Sequence, residues 1–253
     1  MITTLISCKN HGKYLKQAME SCLGQSTPPG ELILIDDGSE DDSYQVMRDF
    51  EGSFKNHEVT KIVAVRHADP LGNIASYNEG IRLASQPYFH LMAADDILMD
   101  NRYYEKALTL LKLDPQIGFT STGLQWMDDN GMVSQNVVIM SPVQGKVPPL
   151  IGLSILERVG NFINGGGVMI RTELQRSVGG YDARLPYSAD YLNWIRIFKK
   201  GYSAYFFREA GYLYRRHGQQ MTASVQAPEE ERFLCGQALV MAIEEIKHSQ
   251  NKS

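Results

Sequence analysis

The chain has 253 residues, 43% of them hydrophobic and 21% charged, with a formal net charge of −4. That is the composition of an ordinary folded protein. Its longest basic tracts are pairs such as Lys199-Lys200 and Arg215-Arg216, which speaks against a dedicated nucleic-acid binder.

The predicted elements alternate strand and helix through the first hundred residues. A strand over residues 3–7 has no charged leader ahead of it and is not a signal peptide. It passes through Asn10-His11-Gly12-Lys13 into a helix with Tyr14, Leu15, Ala18, Met19, Cys22 and Leu23 on one face. The apolar run Leu32-Ile33-Leu34-Ile35 reads as a strand buried on both faces. The polar turn Asp36-Asp37-Gly38-Ser39 and a helix near 43–50 follow it. A strand at 61–65, a loop through Asp69-Pro70-Leu71-Gly72 and a helix at 74–84 precede a fourth strand, 88–92, which delivers Asp95-Asp96. Such alternation predicts an α/β fold with a mostly parallel sheet and right-handed crossovers.

After residue 100 the pattern changes. A helix over 103–113 stops at Asp114-Pro115, and strands at 119–127 and 132–139 form a hairpin about Asp129-Asn130-Gly131. The proline-rich stretch 141–149 reads as a loop. A short helix, the Gly165-Gly166-Gly167 loop, a strand at 168–170 and a helix at 190–199 come next. The last segment, 228–248, is an amphipathic helix expected to turn Phe233, Leu234, Ala238, Met241, Ala242 and Ile246 inward. No stretch reaches the roughly 20 apolar residues of a spanning helix. Cys8, Cys22 and Cys235 are scattered and lack metal-ligand spacing, as suits buried hydrophobes in a reducing compartment.

Ligands of open α/β sheets bind beyond the carboxyl ends of the strands. Two acidic pairs at two such ends gather negative charge around one crevice. Adjacent carboxylates repel and need a counter-charge, a proton or solvent, and a divalent cation carrying a phosphorylated ligand is one answer. Each pair also has a plainer reading, as a turn or a helix cap. Asp190 falls in the first turn of a predicted helix beside Tyr191 and Trp194. It is either a cap or a general base kept ionised by the helix dipole. Tyr214-Arg215-Arg216-His217 supplies cations for phosphate charge, or forms a solvated turn.

Taken together, several motifs resemble family 2 glycosyltransferases over roughly residues 1–217. They are Ser7-Cys8-Lys9-Asn10, Gln25, Asp36-Asp37-Gly38-Ser39, Asn78-Glu79-Gly80, Ala94-Asp95-Asp96, Gly180-Tyr181-Asp182, Ala189-Asp190-Tyr191 and Tyr214-Arg215-Arg216-His217, in that order. The resemblance implies the Rossmann-like GT-A fold. It also implies inverting, metal-dependent transfer of a sugar from a nucleotide-sugar, often a UDP-sugar, to a hydroxyl of a saccharide or lipid-linked acceptor. Bacterial polysaccharide or glycoconjugate synthesis is the implied setting, and Mn2+ or Mg2+ the implied cofactor.

Carried over by position, Ser7, Asn10, Asp36, Asp37 and Asp95 bind the nucleotide, while Asp95, Asp96 and His217 hold the metal. Arg215 and His217 lie near the diphosphate, and Asp190 is the base. Trp126, Tyr187, Tyr191 and Trp194 offer ring faces for a sugar, although most such rings belong to cores. One domain is expected over 1–225, with a nucleotide-binding half at 1–100, an acceptor half at 101–225 and a helical extension at 226–253. The expected location is cytoplasmic, with peripheral attachment at the inner membrane face left open.

Four positions depart from the family pattern. Ser7-Cys8-Lys9-Asn10 stands where Pro-Thr-Tyr-Asn is common, Ala93 where an acid begins the metal motif, Tyr77 where Arg is frequent, and Ala189 where Glu is frequent. These keep two other readings in play. One is a sugar-nucleotide-binding protein without turnover. The other is a sugar nucleotidyltransferase, for which Asn10-His11-Gly12-Lys13 makes a poor phosphate loop.

Overall fold

The apolar runs of the first half form strands because both of their faces are covered. The computed structural model describes residues 1–53, 61–138, 141–218 and 227–250. In it β1 (Ile2–Cys8) and β2 (Glu31–Asp36) pair in parallel, with α1 (Gly12–Leu23) between them. Leu5, Ile33 and Ile35 enter one core layer, while Ile2, Ile6, Leu32 and Leu34 enter the other. Apolar residues at both parities are what a strand between two helical layers requires. After α2 (Ser43–Ser53), β3 (Lys61–Arg66) joins β2, and after α3 (Asn73–Leu83), β4 (Tyr88–Ala93) joins β1 on its other side. The β4 register sets Ala93 beside Ser7. Helix α3 lies very close to β1: a Cβ on Gly80 would sit 2.2 Å from Leu5 Cδ2.

The second half adds β5 (Ile97–Leu98), α4 (Tyr103–Leu113), β6 (Ile117–Asp128), β7 (Val133–Val138), β8 (Gly145–Val147) and α5 (Pro149–Val159). A single 3-10 turn at Gly165–Gly167 leads into β9 (Val168–Arg171), α6 (Thr172–Ser177), α7 (Ala189–Lys199), β10 (Ser203–Arg216) and α8 (Glu229–Gln250). One sheet runs β3-β2-β1-β4-β9-β6-β10-β5, with β7 on β6 and β8 on β10. Helices α1, α2 and α4 cover one face, and α3, α5, α7 and α8 the other.

The sheet is mixed, where a mostly parallel one was expected. β1 to β4 are parallel to their neighbours within that group, as are β6 and β10, but β9 runs antiparallel to both β4 and β6. Of the antiparallel pairs, β6–β7 is a hairpin with a short link, whereas β9 is reached through helices, with α5 between it and β6, and enters the sheet from the opposite end.

The hairpin at Asp129-Asn130-Gly131 forms, with Gly131 at φ 86°; Ile139 of the predicted second strand lies outside the described residues. The predicted loop at 141–149 contains β8. Nothing in the sequence reading foresaw β10, whose pairing with β6 shifts register around Phe206–Ala210 and so hides any clean alternation.

The inward face of α8 differs in part: Ala242 is buried and Ala238 and Ile246 pack against the core as expected. Glu231, Cys235, Leu239, Ala242 and Ile243 are buried against α5 and α7, while Phe233, Leu234 and Met241 are exposed. Apolar residues occur on more than one side of this helix, and the i, i+4 stripe led by Cys235 is the one that packs. The expected domain boundary near 225 and residues 251–253 lie outside the described residues. Among the described residues, no helix is long and apolar enough to cross a membrane.

Candidate active site

The carboxyl ends of β1, β2 and β4 open into a cleft of about 1070 Å3. At one end lies Asp37, just past the β2 terminus and nearly buried. Its Oδ1 accepts the Leu71 amide at 2.8 Å and its Oδ2 the Gly72 amide at 2.9 Å. His67 bridges two acids, with Nδ1 2.7 Å from Asp37 Oδ1 and Nε2 2.6 Å from Glu79 Oε2. Burial works against the charge on Asp37, but the bonds from His67, Leu71 and Gly72 outweigh it and lower its pKa. Burial likewise opposes protonation of His67, and the two carboxylates outweigh it and raise the pKa.

Asp36 behaves differently. It is fully buried, takes the Ser39 amide on Oδ1 and pairs with Arg66 at 3.2 Å, and it does not line the cleft. Neighbours along a strand face opposite ways, so only one of the two acids faces the cleft. The expected nucleotide contact from Asp36 is therefore withdrawn. Ser7 and Asn10 do line the cleft. Asn10, at φ 57°, ties the β1–α1 loop to the β2 turn: its amide donates to Ser39 Oγ and its Oδ1 accepts the Glu40 amide. Asparagine tolerates that left-handed backbone better than most residues.

Asp95 and Asp96 follow β4 and reach the same cleft, 7% and 3% exposed. Burial and then the charge of Asp95 push the Asp96 carboxyl upward. Its Oδ1 accepts the Arg215 amide at 3.0 Å. Asp95 Oδ2 lies 2.9 Å from His217 Nε2, and one ligand atom from each of His11, Asp95 and His217 falls within 4.8 Å of the others. Two imidazoles and a carboxylate at that separation fit a divalent cation. Two of the expected metal residues, Asp95 and His217, belong to this group; Asp96 reaches the same cleft but is not part of it.

The role expected of Arg215 also changes. The residue is 2% exposed and does not line the cleft. Nε donates to the Asp95 carbonyl, Nη1 to the Asp128 carbonyl and Nη2 to Gln17 Oε1, with the group 4.5 Å over the Tyr14 ring. Arg215 thus fixes the backbone that carries the acid pair. Of the sequence-predicted diphosphate pair, neither residue lines the cleft; His217 meets the Asp95 carboxylate, and Arg215 meets the Asp95 carbonyl and, through its amide, Asp96.

Asp190, in the first turn of α7, lines the opposite stretch of cleft with Asn161, Tyr181 and Tyr187. Asn161 Nδ2 donates to Asp190 Oδ2 at 2.9 Å, and the Tyr191 amide donates to Oδ1 at 2.7 Å. Ser188, not Asp190, occupies the helix-cap position. Burial raises the Asp190 pKa, and the two hydrogen bonds offset only part of that. The expectation that the helix dipole keeps it strongly ionised gives way to burial, and a carboxylate so raised is a better proton acceptor. Trp126 and Tyr187 are in the cleft wall, whereas Trp194 is core and Tyr191 donates its hydroxyl to the Leu156 carbonyl.

A sequence model described as glycosyl transferase family 2 matches residues 3–171, about two thirds of the chain. The chain belongs to glycosyltransferase family 2. Among curated relatives, an uncharacterized glycosyltransferase of Rickettsia prowazekii is 24% identical over 230 residues, 88% of this chain and 66% of its own length. One of Rickettsia bellii is 23% identical over 239 residues, covering 91% of this chain but 32% of the relative. The poly-beta-1,6-N-acetyl-D-glucosamine synthase of Staphylococcus epidermidis is 30% identical over 117 residues, 46% of this chain and 27% of that protein. The chain thus spans between about a quarter and two thirds of these relatives. Among solved structures, S. aureus TarS 1–349 in complex with UDP-GlcNAc superposes with a TM-score of 0.71 at 15% identity, over 95% of this chain and 66% of that one. The fold is therefore the α/β, GT-A type.

Two cleft residues of this family member escaped sequence reasoning. Asn161 sits in a segment without a motif. His11 lay in plain view between Asn10 and Gly12, where a histidine at a strand's carboxyl end was signal enough.

Proposed function

We propose that the protein is an inverting, metal-dependent glycosyltransferase that moves a sugar from a nucleoside diphosphate donor, a UDP-sugar by preference, to an acceptor hydroxyl. One observation carries the reading: a single cleft joins a half-buried carboxylate, Asp190, to an acid and histidine cluster at the β4 terminus. Family membership and the TarS complexes with UDP-GlcNAc and UDP support the donor class. The Staphylococcus epidermidis relative supports a saccharide product.

In this reading Ser7, Asn10 and Asp37 bind the nucleoside, with Asp37 held rigid by two amides and His67. Asp95 and His217, together with His11, would hold Mn2+ or Mg2+, whose charge offsets that of the departing diphosphate. Asp190 takes the proton of the acceptor hydroxyl as that oxygen bonds to the anomeric carbon. The bond from that carbon to the diphosphate oxygen breaks in the same step, and its electron pair leaves with the nucleoside diphosphate. Attack opposite the leaving group inverts the anomeric configuration, through an oxocarbenium-like state. Trp126 and Tyr187 offer apolar faces to a sugar ring.

The test is a panel of UDP-, GDP- and dTDP-sugars with Mn2+, scored by nucleoside diphosphate release with saccharide acceptors and by NMR of the product anomer. Release that depends on acceptor and gives the inverted anomer is expected. Tight donor binding without release or transfer across the panel would leave a binding protein in its place.

A further inference from the structure

We propose that His11 completes a three-donor protein site, His11–Asp95–His217, and that this site selects a first-row transition-metal ion over Mg2+. The inference rests on the reading of the cleft as metal-dependent and deepens it by naming the ligand set and the class of ion.

The three donors come from three elements that the fold brings together: the β1–α1 loop, the loop after β4 and the end of β10. Their ligand atoms lie within 4.8 Å of one another, and the two imidazole rings meet edge-on with centroids 5.1 Å apart. Donors bound to one ion at about 2.0–2.2 Å each cannot be more than about 4.4 Å apart. Adjustments of a few tenths of an ångström therefore suffice to seat an ion. Asp96 is not in this group, and its Oδ1 accepts the Arg215 amide. Ala93, two residues before Asp95, has no donor atom in its side chain.

His11 is held in place from both sides. On one side Asn10 is tied to Ser39 and Glu40 of the β2 turn; on the other the Gly12 amide donates to Asp41 Oδ2 at 3.0 Å. A Cβ on Gly12 would lie 2.2 Å from Asp42 Oδ1, so the loop is packed tightly against that turn. Asp95 is held through its own carbonyl by Arg215 Nε at 2.9 Å. Such support is what fixes ligand direction in metal sites. His11 and Asp95 line the cleft, which leaves the remaining coordination positions to oxygens entering from it.

The donor chemistry then sets the ion. Mg2+ prefers oxygen ligands in strict octahedral array and keeps its waters. Imidazole nitrogen favours later first-row ions, so two imidazoles with one carboxylate make a site for Co2+ or Zn2+ before Mg2+, with Mn2+ the weakest binder of the first-row series.

The test uses the full chain stripped of metal and probed with ions alone, so no donor sugar is needed. Mn2+ binding is read from loss of the free-ion EPR signal, Co2+ binding from visible absorption, and Mg2+ from competition against Mn2+. Pulsed EPR of the Mn2+ form counts coordinated imidazoles in the unaltered protein, so the test does not hang on a variant's folding. Expected are one equivalent of Mn2+, two imidazole nitrogens, and Mg2+ competing only at concentrations at least about tenfold higher. In His11→Gln, Mn2+ and Co2+ affinity should fall by about tenfold or more, one imidazole signal should vanish, and the melting temperature of the metal-free protein should hold.

One imidazole or none in the wild-type spectrum overturns the proposal. So does Mg2+ competing as an equal, or His11→Gln binding Mn2+ as the wild type does. Turnover with Mg2+ in a protein showing a single imidazole would sink this inference and leave the transferase reading standing. A two-imidazole site in a protein that turns over no nucleotide-sugar would do the reverse.

Discussion

Replacing Asp190 by Asn separates chemistry from architecture because the two effects differ in size. Asparagine keeps the shape and still accepts the Tyr191 amide, a 2.7 Å bond in the wild type. The Asn161 amide loses its acceptor, and it is not readily turned, because Asn161 Oδ1 already accepts the Ile163 amide at 3.2 Å. Losing one bond to a charged acceptor costs about 1.5–3 kcal/mol. Removing a carboxylate whose charge is disfavoured by burial returns part of that. The net loss should stay below about 2 kcal/mol, a fall in Tm of no more than about 8 °C for a chain of this size. Removing a general base lowers turnover by about 10²–10⁴-fold, or about 2.7–5.5 kcal/mol in barrier height.

Calorimetric donor binding and nucleoside diphosphate release at saturating donor read these two quantities separately. Donor affinity near the wild-type value with turnover down at least a hundredfold is expected. Turnover within a few-fold of wild type would refute the assignment. The pH profile gives a second check. Because burial raises the Asp190 pKa, kcat should fall as pH drops through a value above the ordinary carboxylate range near about 3.9. Asn161→Ala removes a donor that favours the ionised form, so it should move that acid limb to higher pH. A limb that stays put or moves down would contradict the geometry.

Three further outcomes follow from the same contacts. In Mn2+, Asp95→Asn should weaken calorimetric UDP binding more than Asp96→Asn, because an asparagine at position 96 retains the acceptor for the Arg215 amide; equal losses, or undiminished binding in chelator, would count against it. Gly80→Ala would set a methyl 2.2 Å from Leu5 Cδ2 and should cost about 1–3 kcal/mol, with Tm down by roughly 2–4 °C for each of them; an unchanged melting curve would be the contrary result. The stability gap between wild type and His67→Gln in urea should be widest between about pH 4 and 6.5. The lowered Asp37 pKa makes its share vanish as pH falls through it, and the raised His67 pKa makes its share vanish as pH rises through it; a gap that widens toward pH 9 would be inconsistent with that bridge.

What could be read from the sequence was what local pattern governs. The runs at Leu32-Ile33-Leu34-Ile35 and the strand before Asp95-Asp96 are buried on both sides, so every residue in them is constrained and the pattern is plain. The acids at their ends could be located because a strand end fixes where its successor lies. Which of two adjacent acids faces the cleft depends on pleat parity at the last residue, and that parity turns Asp36 away from it, whereas Asp95 and Asp96 both reach it. Strand β10 was illegible for a related reason. Its shifts of register around Arg208-Glu209-Ala210 break the two-residue period on which a strand is recognised. The packed face of α8 depended on α5 and α7, distant in sequence, and its own apolar residues were compatible with more than one orientation.

The family resemblance implies that Arg215 lies near the diphosphate, and the fold gives its guanidinium another task. In the fold, three guanidinium nitrogens of Arg215 donate to the Asp95 carbonyl, the Asp128 carbonyl and Gln17 Oε1, and its main-chain amide donates to Asp96 Oδ1. These bonds set the position of the acids, and none of the three runs from the guanidinium to a carboxylate oxygen. The Arg215 amide and charge favour the Asp96 carboxylate, but burial and the charge of Asp95 outweigh them, so a demand for positive charge remains. Asp96 expresses the demand by a raised pKa, and Asp95 by drawing His217 to 2.9 Å, with His11 beside it. An ion seated among Asp95, His11 and His217 would relieve the repulsion between the acids. It would also present positive charge to the cleft that Asp190 lines, where a leaving diphosphate needs it.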